Sequence, residues 1–201
     1  MKGLLVKNFI MIKKSLITSV IAITVILIMI FAMRNISEII VISTLFTAIS
    51  WIYPVNNDYW KWERWSLEMP VTRKMIVTSK YLTSFLIIGA CTILNGIVCL
   101  ISAAVGICEP DAAMNVLLIS VISSLLYTII STPLILKLPR IIMWLVVCVS
   151  GGFMGGFFAS AGTIPWQEIP LWSVLISLAA VIILIPVSWL LSVKIYENKD
   201  I

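Results

Sequence analysis

The side chains best suited to bind a protein partner are concentrated in one polar stretch of the chain, residues 56–80. If residues 58–69 form about three helical turns, an apolar stripe and a charged stripe run along that helix at i, i+3, i+7 spacing. The apolar stripe consists of Trp62, Trp65 and Met69, and the charged stripe of Lys61, Arg64 and Glu68. Such a helix can seat aromatic anchors in a groove of another protein. A second interpretation stays open, in which a solvated loop anchors its aromatic residues at lipid headgroups.

The end of this stretch has the residues expected where a new helix begins. Pro70 disfavours helix at Met69, so the chain should turn there. Thr72 can then cap the following helix. The pattern predicts a short surface helix, a bend and a membrane-spanning helix.

The composition identifies lipid as the solvent around most of this chain. Its 201 residues are 61% hydrophobic and 11% charged, with a mean hydropathy of +1.13. Runs of about 20 apolar residues, long enough to cross roughly 30 Å of hydrocarbon, recur along the sequence. We place them at 16–33, 36–53, 81–107, 113–136, 141–162 and 171–193. The sequence therefore predicts an all-α polytopic membrane protein with six transmembrane helices.

The basic residues predict the orientation of these spans. With the N-terminus inside, all of the 14 Lys and Arg residues except Arg34 fall on one side of the membrane. We therefore expect a multi-pass protein of the plasma membrane with both termini cytoplasmic. The net charge of +5 then reflects topology, so nucleic acid is not an expected partner.

Residues 1–14 have the pattern of an amphipathic surface helix. Lys2, Lys7, Lys13 and Lys14 share one broad arc of a helical projection, while apolar residues lie opposite. Such a helix lies in the membrane interface with its apolar face in lipid. The alternative is an ordinary basic flank before the first span.

Several kinds of chemistry are excluded by what the sequence lacks. It contains no His, which removes Ser-His and Cys-His hydrolysis and a His-Glu-x-x-His zinc site. It also has no Cys-x-x-Cys pair and no phosphate-binding loop. Its Asp and Glu residues avoid the middle of the predicted spans, where a proton- or sodium-driven transporter usually needs one. We expect no catalytic, metal or cofactor site, and an energy source outside this chain.

The fifth predicted span carries two adjacent columns of small residues. Gly151 and Gly155 lie in one column, and Gly152 and Gly156 lie in the next. Small residues at this spacing let another helix approach closely. That helix can belong to the same subunit or to a second copy at a dimer axis.

Two segments resemble the small ABC-2 type permeases. The first comprises Trp62-Glu63, Met69-Pro70-Val71-Thr72-Arg73-Lys74, Ile76-Val77 and Ser79-Lys80-Tyr81. It is similar to the cytoplasmic signature of that family, in which Leu-Pro-Val-Ser-Arg-Lys precedes Ile-Val and Ser-Lys-Tyr. Met69 and Thr72 are mild departures from it. The second is the N-terminal Met-Lys-Gly-Leu-Leu-Val-Lys-Asn with Lys13 and Lys14.

The resemblance implies a single transmembrane permease domain over residues 1–201, paired as a homodimer or heterodimer. Two copies of a separate ATP-binding subunit would bind ATP and Mg²⁺, and this chain would bind no cofactor. The segment at 56–80 would receive the ATPase movement, and the substrate would pass along the dimer axis. The implied ATPase-coupling residues are Trp62, Glu63, Arg64, Trp65, Glu68, Met69, Arg73 and Lys74.

Within that family the chain resembles the membrane subunits of exporters for amphipathic peptides, such as phenol-soluble modulins, or of bacteriocin export and immunity systems. The expected function is therefore peptide export. The alternative is a non-transporting immunity or peptide-sensing protein with the same fold. A membrane-embedded enzyme acting on lipid is disfavoured, because His and mid-span carboxylates are missing.

Overall fold

Three long α-helices dominate the part of the chain that the computed structural model describes. The described residues are 72–107, 109–137 and 169–198, together with Ile39 and Thr47. Helix α1 is Arg73–Ala104, α2 is Pro110–Lys137 and α3 is Leu171–Glu197. An 18-residue stretch of each helix has a mean hydropathy of 2.3, 2.1 and 2.7, respectively, so all three helices are long and apolar enough to cross a membrane. They confirm the third, fourth and sixth predicted spans as helices.

The other predicted elements fall largely on residues outside this description. Ile39 and Thr47, in the second predicted span, are helical and fully buried. Outside the described residues lie the surface helix at 1–14, the spans at 16–33 and 141–162, the rest of the span at 36–53, and the segment at 56–71. These elements stay predictions.

Helix α1 begins and ends where local chemistry favours it. It starts directly after Thr72, as expected, although the Thr72 side chain makes no capping hydrogen bond. At the other end Gly106 adopts φ 76°, a left-handed conformation that glycine takes without strain. Its amide donates to the Ala103 carbonyl at 3.1 Å, and the Ile107 amide donates to the Ser102 carbonyl at 2.9 Å. This pair of bonds is a Schellman motif, which ends the helix cleanly.

The three helices pack together around two apolar clusters that fix their directions. The first joins the start of α1 to the ends of α2 and α3 through Ile76, Val77, Tyr81, Leu136, Val193 and Tyr196. The second, nearer the middle, consists of Ile88, Leu125 and Val181. Helix α1 is therefore antiparallel to α2 and α3. The chain leaves α2 at one end of the bundle and enters α3 at the other, which agrees with one predicted span between them.

Charge separates the two ends of this bundle. The Lys and Arg residues that the structure describes all lie where α1 begins and where α2 and α3 end: Arg73, Lys74, Lys80, Lys137 and Lys194. We call this the basic end. Glu109 and Asp111 lie at the opposite end. The positive-inside rule predicts that the basic end is cytoplasmic.

Helix α2 buries an unusually polar face. Six of its buried hydroxyls bond to a carbonyl three or four residues back in the same helix: Ser120, Ser123, Ser124, Thr128, Ser131 and Thr132. These bonds satisfy each hydroxyl proton within α2, so the face can be buried away from water. The small side chains also let neighbouring helices approach α2 closely.

Candidate functional site

Two of the predicted ATPase-coupling residues are placed by the structure. Arg73 and Lys74 lie side by side in the first turn of α1, at the basic end, with Arg73 half-buried and Lys74 exposed. The remaining predicted site residues lie outside the described part of the chain: Trp62, Glu63, Arg64, Trp65, Glu68 and Met69, and the glycines Gly151, Gly152, Gly155 and Gly156. Their roles stay predictions.

The side chain of Arg73 connects the start of α1 to the end of α3. Its Nη1 donates to the carbonyl oxygen of Tyr196 at 3.2 Å and also to that of Glu197. The last carbonyls of a helix have no partner within the helix and carry its negative dipole end. The Arg73 guanidinium donates hydrogen bonds to these carbonyls and places a positive charge at the negative end of the helix dipole. Arg73 is therefore an interhelical cap as well as a residue of the predicted coupling segment.

Tyr196 receives a second cation from α1. The Lys80 ammonium lies over the Tyr196 ring, with Nζ 5.4 Å from the ring centroid. At this distance the ring quadrupole attracts the charge by about 0.5 to 1 kcal/mol. Tyr196 is itself fully buried in the apolar cluster at the basic end. Its carbonyl and its ring are therefore both held by α1.

Further polar contacts extend this attachment along the two helices. The indole Nε1 of Trp189 donates to Thr78 Oγ1 at 3.1 Å, and Thr78 Oγ1 donates to the Lys74 carbonyl at 2.8 Å. Closer to the membrane interior, the Tyr81 hydroxyl lies 2.7 Å from Ser188 Oγ and 2.9 Å from Ser192 Oγ. The Thr78–Lys74 bond lies within α1, and the other three contacts join α1 to α3.

We refer to these residues as the α1–α3 junction. It comprises Arg73, Thr78, Lys80 and Tyr81 on α1, and Ser188, Trp189, Ser192 and Tyr196 on α3. Hydrogen bonds and a cation–π contact hold helices in register, but they supply no nucleophile or acid–base pair. The junction can transmit a displacement of the α1 start to the α3 end.

The α3 half of this junction was missed by sequence reasoning. Trp189, Ser192 and Tyr196 recur at helical spacing, and that polar and aromatic stripe in an apolar span was the available signal. What could not be read is the partner of each residue, because the contacts join positions more than 100 residues apart.

The described residues offer no group of three or more His, Cys, Asp or Glu that could hold a metal ion.

An apolar cavity of about 340 Å³ lies between α1 and α2, near the end of the bundle opposite the basic end. Its lining residues include Gly96, Cys99, Leu100, Ala113, Met114 and Leu117. Its walls suit a hydrocarbon group and carry no charged side chain among the residues described.

These observations define an integral membrane protein whose polar interactions fasten helices together at one charged end. A model of the family described as ABC-2 family transporter protein matches residues 3–197. The chain belongs to this family, and it is thus a transporter permease, the class of membrane component that partners with an ATP-binding subunit. No curated protein and no solved structure matches the chain.

Proposed function

We propose that this chain is the membrane-spanning permease subunit of an ABC exporter, which forms the translocation path as a dimer and is powered by two copies of a separate ATP-binding subunit. The observation that carries the proposal is the family match over residues 3–197. The sequence has no phosphate-binding loop, so the energy must come from another chain.

The α1–α3 junction supports a specific coupling route. The predicted helix at 58–69 docks on the ATP-binding subunit and continues, after the bend at Pro70, into α1. Because Arg73 holds the last carbonyls of α3, a displacement of the coupling helix moves the start of α1 and the end of α3 as one unit. Two spans therefore respond to one contact with the ATPase.

The distribution of charge in the described helices agrees with an energy source outside the membrane. Their charged residues lie near the helix ends: Arg73, Lys74, Lys80, Asp111, Lys137, Lys194 and Glu197. A transporter driven by protons or sodium needs a titratable or coordinating group near the bilayer midplane. ATP hydrolysis by a partner requires none.

The substrate we propose is an amphipathic peptide, on the resemblance of the chain to membrane subunits of peptide exporters. Inside-out membrane vesicles with this chain and its co-purifying ATP-binding subunit should accumulate a labelled amphipathic peptide with ATP and not with a non-hydrolysable analogue. Vesicles with the ATP-binding subunit alone are the control. Peptide binding without ATP-dependent accumulation would instead indicate an immunity or sensing protein.

A further inference from the structure

Helix α2 is interrupted near its end by a proline whose effect is compensated from another helix. Pro133 lies inside α2, which continues to Lys137. Proline has no amide proton, so the carbonyl of Ile129, four positions earlier, loses the donor that an ordinary helix would provide. In lipid such a carbonyl has no water to bind, and it needs another donor.

That donor is Ser188 of α3. Its Oγ donates to the Ile129 carbonyl oxygen at 2.7 Å, and its side chain is buried with 3% exposure. Buried hydroxyls of α2 such as Thr128 bond within their own helix, whereas Ser188 bonds across to α2. The one carbonyl that Pro133 deprives of its helical donor is the one that Ser188 reaches.

The hydroxyl protons around Ser188 can be placed by elimination. Ser188 has one proton and gives it to Ile129, so Tyr81 must donate in the 2.7 Å contact with Ser188 Oγ. Tyr81 then has no proton for Ser192, so Ser192 donates to the Tyr81 oxygen at 2.9 Å. The result is a relay that runs from Ser192 to Tyr81, Ser188 and Ile129. It passes from α3 to α1, back to α3 and into α2.

We propose that this relay is a latch on the end of α2, with Pro133 as the hinge and Ser188 as the residue that positions it. Residues 133–137 lie beyond a missing helical hydrogen bond, where a helix bends most easily. With the Ser188 bond in place, this end is held against α3. When the bond opens, the Ile129 carbonyl loses its compensating donor, α2 bends more easily at Pro133, and the packing of Leu136 in the apolar cluster at the basic end is the remaining hold on residues 133–137.

The position of Tyr81 connects the latch to the coupling route, and this step rests on the proposed function. Tyr81 lies about two helical turns from Arg73 on α1. Tyr81 holds Ser188 in the unit formed by α1 and α3, so a displacement of that unit by the ATP-binding subunit moves Ser188 relative to the Ile129 carbonyl of α2 and weakens the last bond of the relay. Opening the latch frees the α2 end, so a third span changes its position when α1 and α3 move.

The latch can be tested on the chain without an ATP-binding subunit. Spin labels are attached at Lys137→Cys and Lys194→Cys, and the distance between them is measured by pulsed electron–electron double resonance. Both positions are exposed at the basic end, on α2 and α3. The native cysteines Cys91, Cys99, Cys108 and Cys148 are replaced. With the latch intact we expect one narrow distance distribution. Ser188→Ala should raise the population of molecules with the longer label-to-label distance, relative to those with the shorter one, roughly fivefold, as expected for the loss of one hydrogen bond.

The decisive comparison is the double variant. Pro133→Ala restores an amide that can donate to Ile129, so Pro133→Ala with Ser188→Ala should return to the narrow distribution. Ser177→Ala is the matched control, because Ser177 is exposed on α3 and donates within its own helix. Should Ser188→Ala fail to fold, Tyr81→Phe provides a second variant that keeps the ring, and we expect it to broaden the distribution less.

An unchanged distribution in Ser188→Ala, or a double variant as broad as Ser188→Ala alone, would overturn the latch. If Ser188→Ala is not available, an unchanged distribution in Tyr81→Phe would do so. None of these outcomes depends on transport. A failure of the latch is therefore distinguishable from a failure of the proposed function.

Discussion

The guanidinium of Arg73, in the first turn of α1, donates a hydrogen bond to the carbonyl of Tyr196, in the last turn of α3, across a distance of 3.2 Å. One charged side chain thus joins the beginning of one membrane helix to the end of another. Because Arg73 lies within the predicted ATPase-coupling segment, residues 56–80, the two helices should respond together to a force applied there.

Arg73→Ala should loosen the end of α3, because the last carbonyls lose both their cap and a favourable charge. We expect a loss of about 1 kcal/mol of local stability, seen as roughly fivefold faster hydrogen exchange near Asn198, whose amide donates to Lys194. Lys74→Ala is the control, since Lys74 is exposed at the adjacent position. Equal exchange in the two variants would show that Arg73 contributes no cap.

The predicted coupling helix can be tested with aromatic substitutions. If Trp62 and Trp65 seat in a groove of the ATP-binding subunit, Trp65→Ala should weaken the complex by about 1 to 3 kcal/mol, as for a buried aromatic anchor. Titrating the solubilised chain with the ATP-binding subunit measures this loss. Trp172→Ala is a suitable control, because Trp172 is exposed at the opposite end of the bundle. Unchanged binding after Trp62→Ala together with Trp65→Ala would indicate that the two tryptophans anchor the chain at lipid headgroups and do not contact the ATP-binding subunit.

The glycine columns of the fifth predicted span give a prediction about dimerisation. Gly152→Leu or Gly155→Leu should push the neighbouring helices apart and reduce dimer formation or transport, whereas Phe157→Leu keeps a large apolar group and should be mild. Crosslinking between subunits through Gly152→Cys or Gly156→Cys, with the native cysteines removed, identifies the neighbour. An intact dimer without crosslinks would mean that these glycines pack within one subunit.

The buried hydroxyl face of α2 should tolerate an isosteric loss of polarity. Thr128 donates only to the Ser124 carbonyl of its own helix at 3.0 Å, so Thr128→Val should change the thermal stability of the solubilised protein by less than about 1 kcal/mol. Thr128→Leu adds volume where Thr128 is 1% exposed, and it should destabilise by about 1 to 3 kcal/mol. Equal melting temperatures for the two variants would show that this face is loosely packed.

Hydropathy was sufficient to predict α1, α2 and α3, because an apolar run in lipid can pair its backbone groups only by forming a helix. Pro70 and Thr72 were sufficient to predict where α1 begins. The partners of Arg73 and Ser188 could not be predicted, because each lies on a helix distant in the sequence and depends on how the spans pack. The sequence shows that Pro133 removes one hydrogen bond from a helix that contains it, but it does not show that Ser188 compensates the loss.

The central claim is that this chain is the permease of a two-component ABC exporter, and native mass spectrometry of the affinity-tagged chain extracted from its own membrane tests it most directly. We predict a complex of two permease chains with two ATP-binding subunits, and no ATPase activity when the chain is purified alone. Isolation of the chain as a stable and active transporter, with no ATP-binding subunit attached, would contradict the account.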